Sequence, residues 1–326
     1  SDTAEAVTRV LSEQAAGVTS NGSVDLIWIN GPNFLAMKER GLLHGPFVGQ
    51  LPNARYLDLS PDSANSRDFT VAVDGLESPW RLARFVFNHD TVGVPEPPRS
   101  MMELLDWATA NPGSFTHPNP ANFMGATFLK QALIELAPDP SALQQPVTAA
   151  TVDAVTAPLW AWYDALRPHL WRQGRSFPEN QFVQQQLLND GELAIGLSFD
   201  PASAAAAIAE GLLPETVRVS VPAIGSLGNV SFVAIPFNAA HRAGALVVAN
   251  TLLDPGVQAH MQSIEVLGAY PVLAMDRLSA EDRARFDALP EAPALPTLAE
   301  LGPTLAEPHP SWMEHLAETW AERYTR

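Results

Sequence analysis

The chain has 326 residues, 46% hydrophobic and 17% charged, which is ample core material and about the length of two domains. Its 19 basic and 36 acidic residues leave a net charge of −17, which argues against nucleic acid and against docking on an anionic membrane surface. Cysteine is absent, so disulfides, thiolate metal sites, iron–sulfur clusters and a thiol nucleophile are excluded together.

Ser1-Asp2-Thr3 reads as the cap of a helix from Ala4 to Ala16, with Val7, Val10 and Leu11 on one face. A short apolar strand, Leu26 to Ile29, ends in Asn30-Gly31-Pro32-Asn33, and a helix from Phe34 to Arg40 follows until Gly41 stops it. Arg84 to Asn88 reads as a strand and Met101 to Ala110 as a helix. Ser114 to His117 is a short strand that breaks into Pro118-Asn119-Pro120-Ala121-Asn122 ahead of a helix from Phe123 to Leu136. A Trp-rich helical stretch then runs to Leu170, and Gln181 to Asn189 is helical. Glu192 to Leu197 is a strand leading to an Ala-rich helix from Pro201 to Glu210. Val217 to Val221 and Val230 to Ile235 are strands; Arg242 to Leu253 and Pro255 to Ser263 are helices, with further helices after Ser279. Many of the 29 prolines fall in loops, which favours fixed connections.

Strand–loop–helix units recur without a tandem repeat, a pattern that predicts an α/β chain with mostly parallel sheets. In such sheets ligands sit beyond the carboxyl ends of the strands. Three loops stand there, Asn30 to Asn33, His117 to Asn122 and Ser198-Phe199-Asp200-Pro201, each running directly into a helix whose free N–H groups face the same space. No apolar run reaches the roughly 18 residues of a membrane span, and no signal-peptide pattern opens the chain. If the protein is exported, its signal has already been removed.

Motifs for chemistry are scarce. No phosphate-binding glycine loop occurs. Gly196-Leu-Ser198-Phe-Asp200 approaches a nucleophile elbow, but Asp200 stands where the strained turn needs a second glycine. Ser198 therefore reads better as a hydrogen-bonding loop residue. The eight histidines are scattered; His309 and His315 fit no metal spacing, and His117 reads as a turn residue within a candidate ligand loop. Trp160 and Tyr163 share one helical face, the pattern of core packing, while Trp162 lies off that stripe and could line a pocket for a planar or cationic ligand. Arg175 is either a carboxylate clamp or a solvated loop charge. What remains is a set of Asn, Ser, backbone amides and aromatics suited to binding.

These segments resemble bacterial extracellular solute-binding proteins of the family 1 type, the periplasmic receptors of ABC importers, and in particular their YnjB-like branch. "DLIWINGPNFLAMKERGLL" (25–43) is similar to their strand, small polar loop, helix and Gly-Leu-Leu. "RFVFNHDTV" (84–92) resembles their crossover segment, and "PPRSMMELLDWA" (97–108) the helix after it, with Met in place of the usual Trp. "DGELAIGLSFDPASAAAAIAEG" (190–211) and "GNVSFVAIPFNAAHRAGALVVANTLLDPGVQ" (228–258) look like the later strand–helix units. "HLWRQGRSFPENQ" and "EPHPSWMEHL" resemble the branch itself. One departure is the start, where the family has a strand, a helix and a second strand that this chain lacks.

The resemblance implies a two-lobed periplasmic-binding-protein fold of type II: α/β, with mixed sheets flanked by helices and the N-terminal strands missing. Residues 1–84 and 232–275 would form lobe one, 89–228 and 276–326 lobe two, with hinge segments at 85–88 and 229–234. It implies the substrate-binding component of an ABC importer, not an enzyme, with neither catalytic nor metal residues and no cofactor. The expected ligand contacts are Asn30, Gly31 and Asn33 on one lip, then Asn119, Asn122 and Phe123 on the facing lip beside Ser198, Phe199 and Asp200. Ser226 and Asn229 would lie near the hinge, and Trp162 would add an aromatic. The expected partners are a small organic solute held in the interlobe cleft and the membrane permease, with no nucleic acid, for a periplasmic monomer. Asp200 and the aromatics lean toward a thiamine- or polyamine-like cation. An enzyme on the same fold and a sugar- or anion-binding receptor are the alternatives.

Overall fold

The computed structural model describes residues 3–61 and 63–325, so the expected Ser1-Asp2 cap lies outside the described residues. In chain order the helices are α1 (Thr3–Ala15), α2 (Pro32–Glu39), α3 (Met101–Ala110), α4 (Phe123–Leu136), α5 (Val152–Leu166), α6 (Gln181–Asn189), α7 (Ser203–Ala209), α8 (Arg242–Leu252), α9 (Pro255–Gln262), α10 (Ala280–Asp287) and α11 (Pro310–Tyr324). The strands are β1 (Ile27–Ile29), β2 (Arg67–Asp68), β3 (Val71–Ala72), β4 (Glu77–Arg84), β5 (Val86–Asp90), β6 (Ile195–Ser198), β7 (Val217–Ser220), β8 (Ser226–Ala234) and β9 (Thr304–Leu305). Helix starts follow capping chemistry. Ser100 Oγ accepts the Glu103 N–H at the head of α3, while the Glu103 carboxylate takes the Arg99 N–H. Asn180 and Asp254 cap α6 and α9 in the same way.

The chain divides into two compact units, Ser1–Ala83 with Asn229–Pro290 and Arg84–Gly228 with Glu291–Arg326. Residues 276–290, expected with the second lobe, belong to the first unit. Leu278 is buried in that unit's core, Phe286 packs against it, and the Arg277 guanidinium donates to the Leu57 carbonyl.

In the first unit β8 lies between β1 and β4, with β1 antiparallel to it and Ile27 opposite Ala234. Two apolar clusters form. Val7 and Val10 of α1 meet Phe34 and Met37 of α2, Ile27 and Ile29 of β1, and Ala234. The second gathers Phe232 and Val233 of β8 with Ala245 and Ala249 of α8, Leu253 and Leu273. Between the two buried isoleucines, Trp28 points to the other side of its strand, as strand geometry requires. It meets Trp80 edge-on at 5.2 Å, and the Arg81 guanidinium lies over both rings.

The second unit has a three-stranded sheet with β5 central, antiparallel to both β6 and β7; Phe87 faces Leu197 on one side and Ser220 on the other. The mostly parallel sheets expected from the strand–loop–helix rhythm are therefore not formed. β5 carries the chain into this unit and occupies the middle of the sheet, so its neighbours run against it. Ser114 to His117 is not a strand either. It makes a single parallel bridge, Phe115 with Ile195.

Helix α4 is buried along most of its length, which makes it the central helix of this unit. Even its polar residues are enclosed. Gln131 donates to the Gly225 carbonyl at 3.2 Å and accepts from the Leu227 N–H at 2.8 Å. Lys130 pairs with Glu307 at 2.6 Å, both side chains being about 1% exposed. The Arg84 guanidinium gathers the carbonyls of Leu301, Gly302 and Pro303 and also donates to Ser226 Oγ. Removing one partner of a buried ion pair leaves an uncompensated charge. Lys130→Ala is therefore expected to lower unfolding free energy in urea by about 3–5 kcal/mol, and the apolar double replacement Lys130→Met, Glu307→Leu to recover most of that loss.

Candidate functional site

The Asn30 loop in the first unit is held from beneath. Gly31 caps α2 with a backbone φ of 56°, a conformation that glycine adopts freely, and Pro32 opens the helix. Neither Asn30 nor Asn33 is the helix cap. The Gly31 N–H donates instead to the Asp68 carboxylate at 2.6 Å. Asn30 Nδ2 donates to the same carboxylate at 3.2 Å and to the Val230 carbonyl at 2.7 Å. Asp68 is fully buried.

Phe69 follows it at the tip of the β2–β3 hairpin with φ 53°, unusual for a bulky residue, and a side chain on Gly31 would meet its ring at 3.0 Å. Ring and glycine are thus fitted to each other. Among the described residues, Asn30 Oδ1, the Asn33 side chain and the N–H groups of Asn33 and Phe34 make no hydrogen bond. Asn30 and Asn33 are both partly exposed. Asn229 lies on β8 in this unit, partly buried.

In the second unit the His117–Phe123 loop is set by a buried relay. Trp320 Nε1 of α11 donates to the Tyr163 hydroxyl at 2.7 Å, which donates in turn to His117 Nε2 at 2.7 Å, leaving His117 Nδ1–H for the Pro118 carbonyl at 2.7 Å. Burial pushes the His117 pKa down to about 4, against the support of that carbonyl, so the imidazole is neutral. The same burial raises the Tyr163 hydroxyl pKa. Asn119 Oδ1 then accepts the Ala121 N–H, and Asn122 Oδ1 caps α4 by accepting the Met124 N–H. The Nδ2 groups of Asn119 and Asn122 have no partner among the described residues. Gly125 allows this tight fold-back, because a Cβ there would lie 2.2 Å from the Pro118 carbonyl oxygen.

Phe123 lies edge-on to Phe199 at 5.2 Å, which joins the start of α4 to the loop after β6. Asn119, Asn122, Phe123, Phe199, Ser198 and Asp200 are therefore gathered in one part of this unit. Phe123 is the exposed aromatic among them, at 39%. Three expected contacts are withdrawn by the packing. Ser198 Oγ donates to the Asp200 carbonyl and accepts from the Asp200 N–H and Ser203 Oγ, which fills a hydroxyl's capacity and ends the nucleophile reading. Ser226 is fully buried and accepts from Arg84. Trp162 is 4% exposed, with its indole N–H on the Met101 carbonyl, so it is core and not a pocket wall. Arg175 is exposed in its loop.

Sequence reading missed Asp68, Phe69 and Trp320, and took Tyr163 for core packing without its hydrogen bonds to His117 and Trp320. They lie far along the chain from the loops they hold, and only the positive-φ requirement at Gly31 pointed to something close by.

Two compact α/β units are the architecture of extracellular solute-binding proteins. The chain belongs to the bacterial extracellular solute-binding protein family, whose model matches residues 1–294. Protein YnjB of Escherichia coli (strain K12) is 42% identical to it over 324 residues, which cover 99% of this chain and 81% of that protein. Two solved structures share the fold at low identity. The periplasmic binding protein AfuA of Actinobacillus pleuropneumoniae, with fructose-6-phosphate bound, is 14% identical with a TM-score of 0.65, over 99% of this chain and 88% of AfuA. Iron-bound HitA of Pseudomonas aeruginosa is 16% identical with a TM-score of 0.63, over 100% of this chain and 89% of HitA. No helix among the described residues is long and apolar enough to cross a membrane.

The neutral His117 gives a pH signature. An imidazole whose folded pKa lies below its unfolded value contributes stability that is complete above about 6.5 and is lost as pH falls through about 4. Wild type is expected to lose about 3 kcal/mol more than His117→Gln over that window in urea titrations. At neutral pH, Tyr163→Phe should cost about 1–3 kcal/mol by leaving His117 and Trp320 unpaired.

Proposed function

We propose that the protein captures a small polar organic solute for an ABC importer in the periplasm, binding it unchanged. Candidate contacts in the first unit are Asn30, Asn33 and the first N–H groups of α2; in the second unit, taken by itself, they are Asn119, Asn122 and Phe123. The observation that carries this reading is the set of polar groups the fold leaves unused. Asn119 and Asn122 turn their carbonyls into their own turns and keep their NH2 groups. Asn33 keeps its whole amide, and α2 keeps its first two N–H groups. These are mainly donors, so the solute they suit carries oxygen acceptors, whether hydroxyls or an anionic group.

A second reading, a thiamine- or polyamine-like cation, rests on the exposed Phe123 ring and on Asp200, the residue after Phe199, whose ring meets Phe123. Against it, the Lys130 ammonium already lies 5.6 Å from the Phe123 centroid.

Thermal melting against a panel of sugars, sugar phosphates, carboxylates, thiamine and polyamines tests both readings. A true solute at about a hundred times its dissociation constant adds roughly 2.7 kcal/mol. Asn30→Ala with Asn122→Ala should weaken the hit by about tenfold or more while each variant alone still melts cooperatively. Hits confined to cations would favour the second reading, turnover of a hit would remove the receptor reading, and wild-type affinity in the double variant would remove these residues from the site.

A further inference from the structure

The first unit also contains a pocket away from the Asn30 loop. It encloses about 320 Å³ and is walled by Val48, Leu59 and Val73 on its apolar side and by Asn65, Asp74 and Glu77 on its polar side. Neither Asn30, Gly31 nor Asn33 lines it. Glu77, the first residue of β4, has no exposed surface, and neither of its carboxyl oxygens has a hydrogen-bond partner among the described residues. A buried carboxyl without a partner has lost its hydrogen bonds to water without replacement, and such groups call for an explanation. Asn65 is fixed beside it by donating to the Asp58 and Val272 carbonyls at 3.2 and 3.1 Å, which leaves its Oδ1 as an acceptor.

The charges around Glu77 decide what can enter. Asp68 of β2 and Lys38 of α2 act on it from the two elements beside it. Lys38 is itself neutralised by Asp74 at 2.6 Å, and the Arg67 guanidinium is turned onto the Pro61 and Thr70 carbonyls. Burial, reinforced by Asp68 and opposed by Lys38, raises the Glu77 pKa well above the usual carboxylate value, which favours its protonated form. An anion would meet the carboxyl groups of Asp74 and Glu77, with the lining Arg67 already held by the Pro61 and Thr70 carbonyls; a cation would meet acceptors.

We propose that this pocket binds a small primary ammonium ion with a short alkyl tail, using Glu77 as counter-ion, Asn65 Oδ1 as second acceptor, and Val48, Leu59 and Val73 around the tail. On binding, the Glu77 O–H bond breaks, its proton passes to solvent, and the carboxylate so formed accepts an N–H of the ammonium. One proton is released per ion bound and no other covalent bond changes.

The test titrates n-butylammonium chloride into wild-type protein and Glu77→Gln at pH 7. It follows backbone amide resonances and measures heat in phosphate and in Tris, whose protonation enthalpies differ. Expected are shifts at Val48, Gly49, Val73 and Gly75, release of about one proton, and affinity at least tenfold lower in Glu77→Gln with no proton released. Equal amounts of 1-butanol should leave those resonances unmoved. Absence of binding by wild type, shifts confined to the Asn30 loop, binding without proton release, or equal binding of 1-butanol would each overturn the proposal, as would unchanged affinity in Glu77→Gln. If that variant does not fold, the proton count and the butanol comparison decide from wild type alone.

Discussion

The Asn30 loop of the first unit depends on one short contact, the Gly31 N–H on the buried Asp68 carboxylate. A glycine at positive φ ahead of a proline has no local partner for that N–H, and a buried carboxylate needs donors. Each therefore answers the other's requirement. The same carboxylate holds the Asn30 amide, which fixes that side chain with its oxygen left over. Phe69 then closes over the glycine at a backbone angle that strains a bulky residue by about 1–3 kcal/mol. The ring is retained in that conformation because no side chain on residue 31 competes with it.

The second unit reaches a similar result by another route. Its loop is governed by a chain of neutral groups, Trp320, Tyr163, His117 and the Pro118 carbonyl, with each donor satisfied by the next acceptor. Such a chain is effective only when dry, and the depressed His117 pKa reflects that dryness. Asn30 is positioned by the buried Asp68 carboxylate, and Asn119 and Asn122 by N–H groups of their own turns, so part of each amide is left over. Fold likeness cannot choose a solute from this, since AfuA and HitA carry chemically unrelated ligands on similar frames.

Local signals were well preserved in the sequence. Helices α3 and α4 begin at Ser100 and Asn122, small polar caps ahead of apolar periodicity, and both were read at their observed bounds. The Asn30-Gly31-Pro32 turn was also visible, because few residues other than glycine hold that angle. What could not be read is long-range. Asp68 lies 37 residues from Gly31, and Trp320 lies 157 from Tyr163. β4 went unrecognised over Glu77 to Ala83 because its buried residues include a glutamate and a serine, which look like surface. Trp162 misled for a related reason: α5 is buried on more than one face, so a residue off its apolar stripe is still enclosed. Strand direction was misread as well, since a strand-then-helix rhythm does not reveal that β5 enters the middle of its sheet.

Both units also draw on segments far apart along the chain, and this orders their assembly in time. The Asn30 loop leans on the Val230 carbonyl, and the turn at Asn119 rests, through two rings, on an indole in α11. During synthesis neither loop can acquire its finished form until those later residues have been made. The nascent chain therefore cannot complete the Asn30 loop before Val230 is made, nor the Asn119 turn before Trp320.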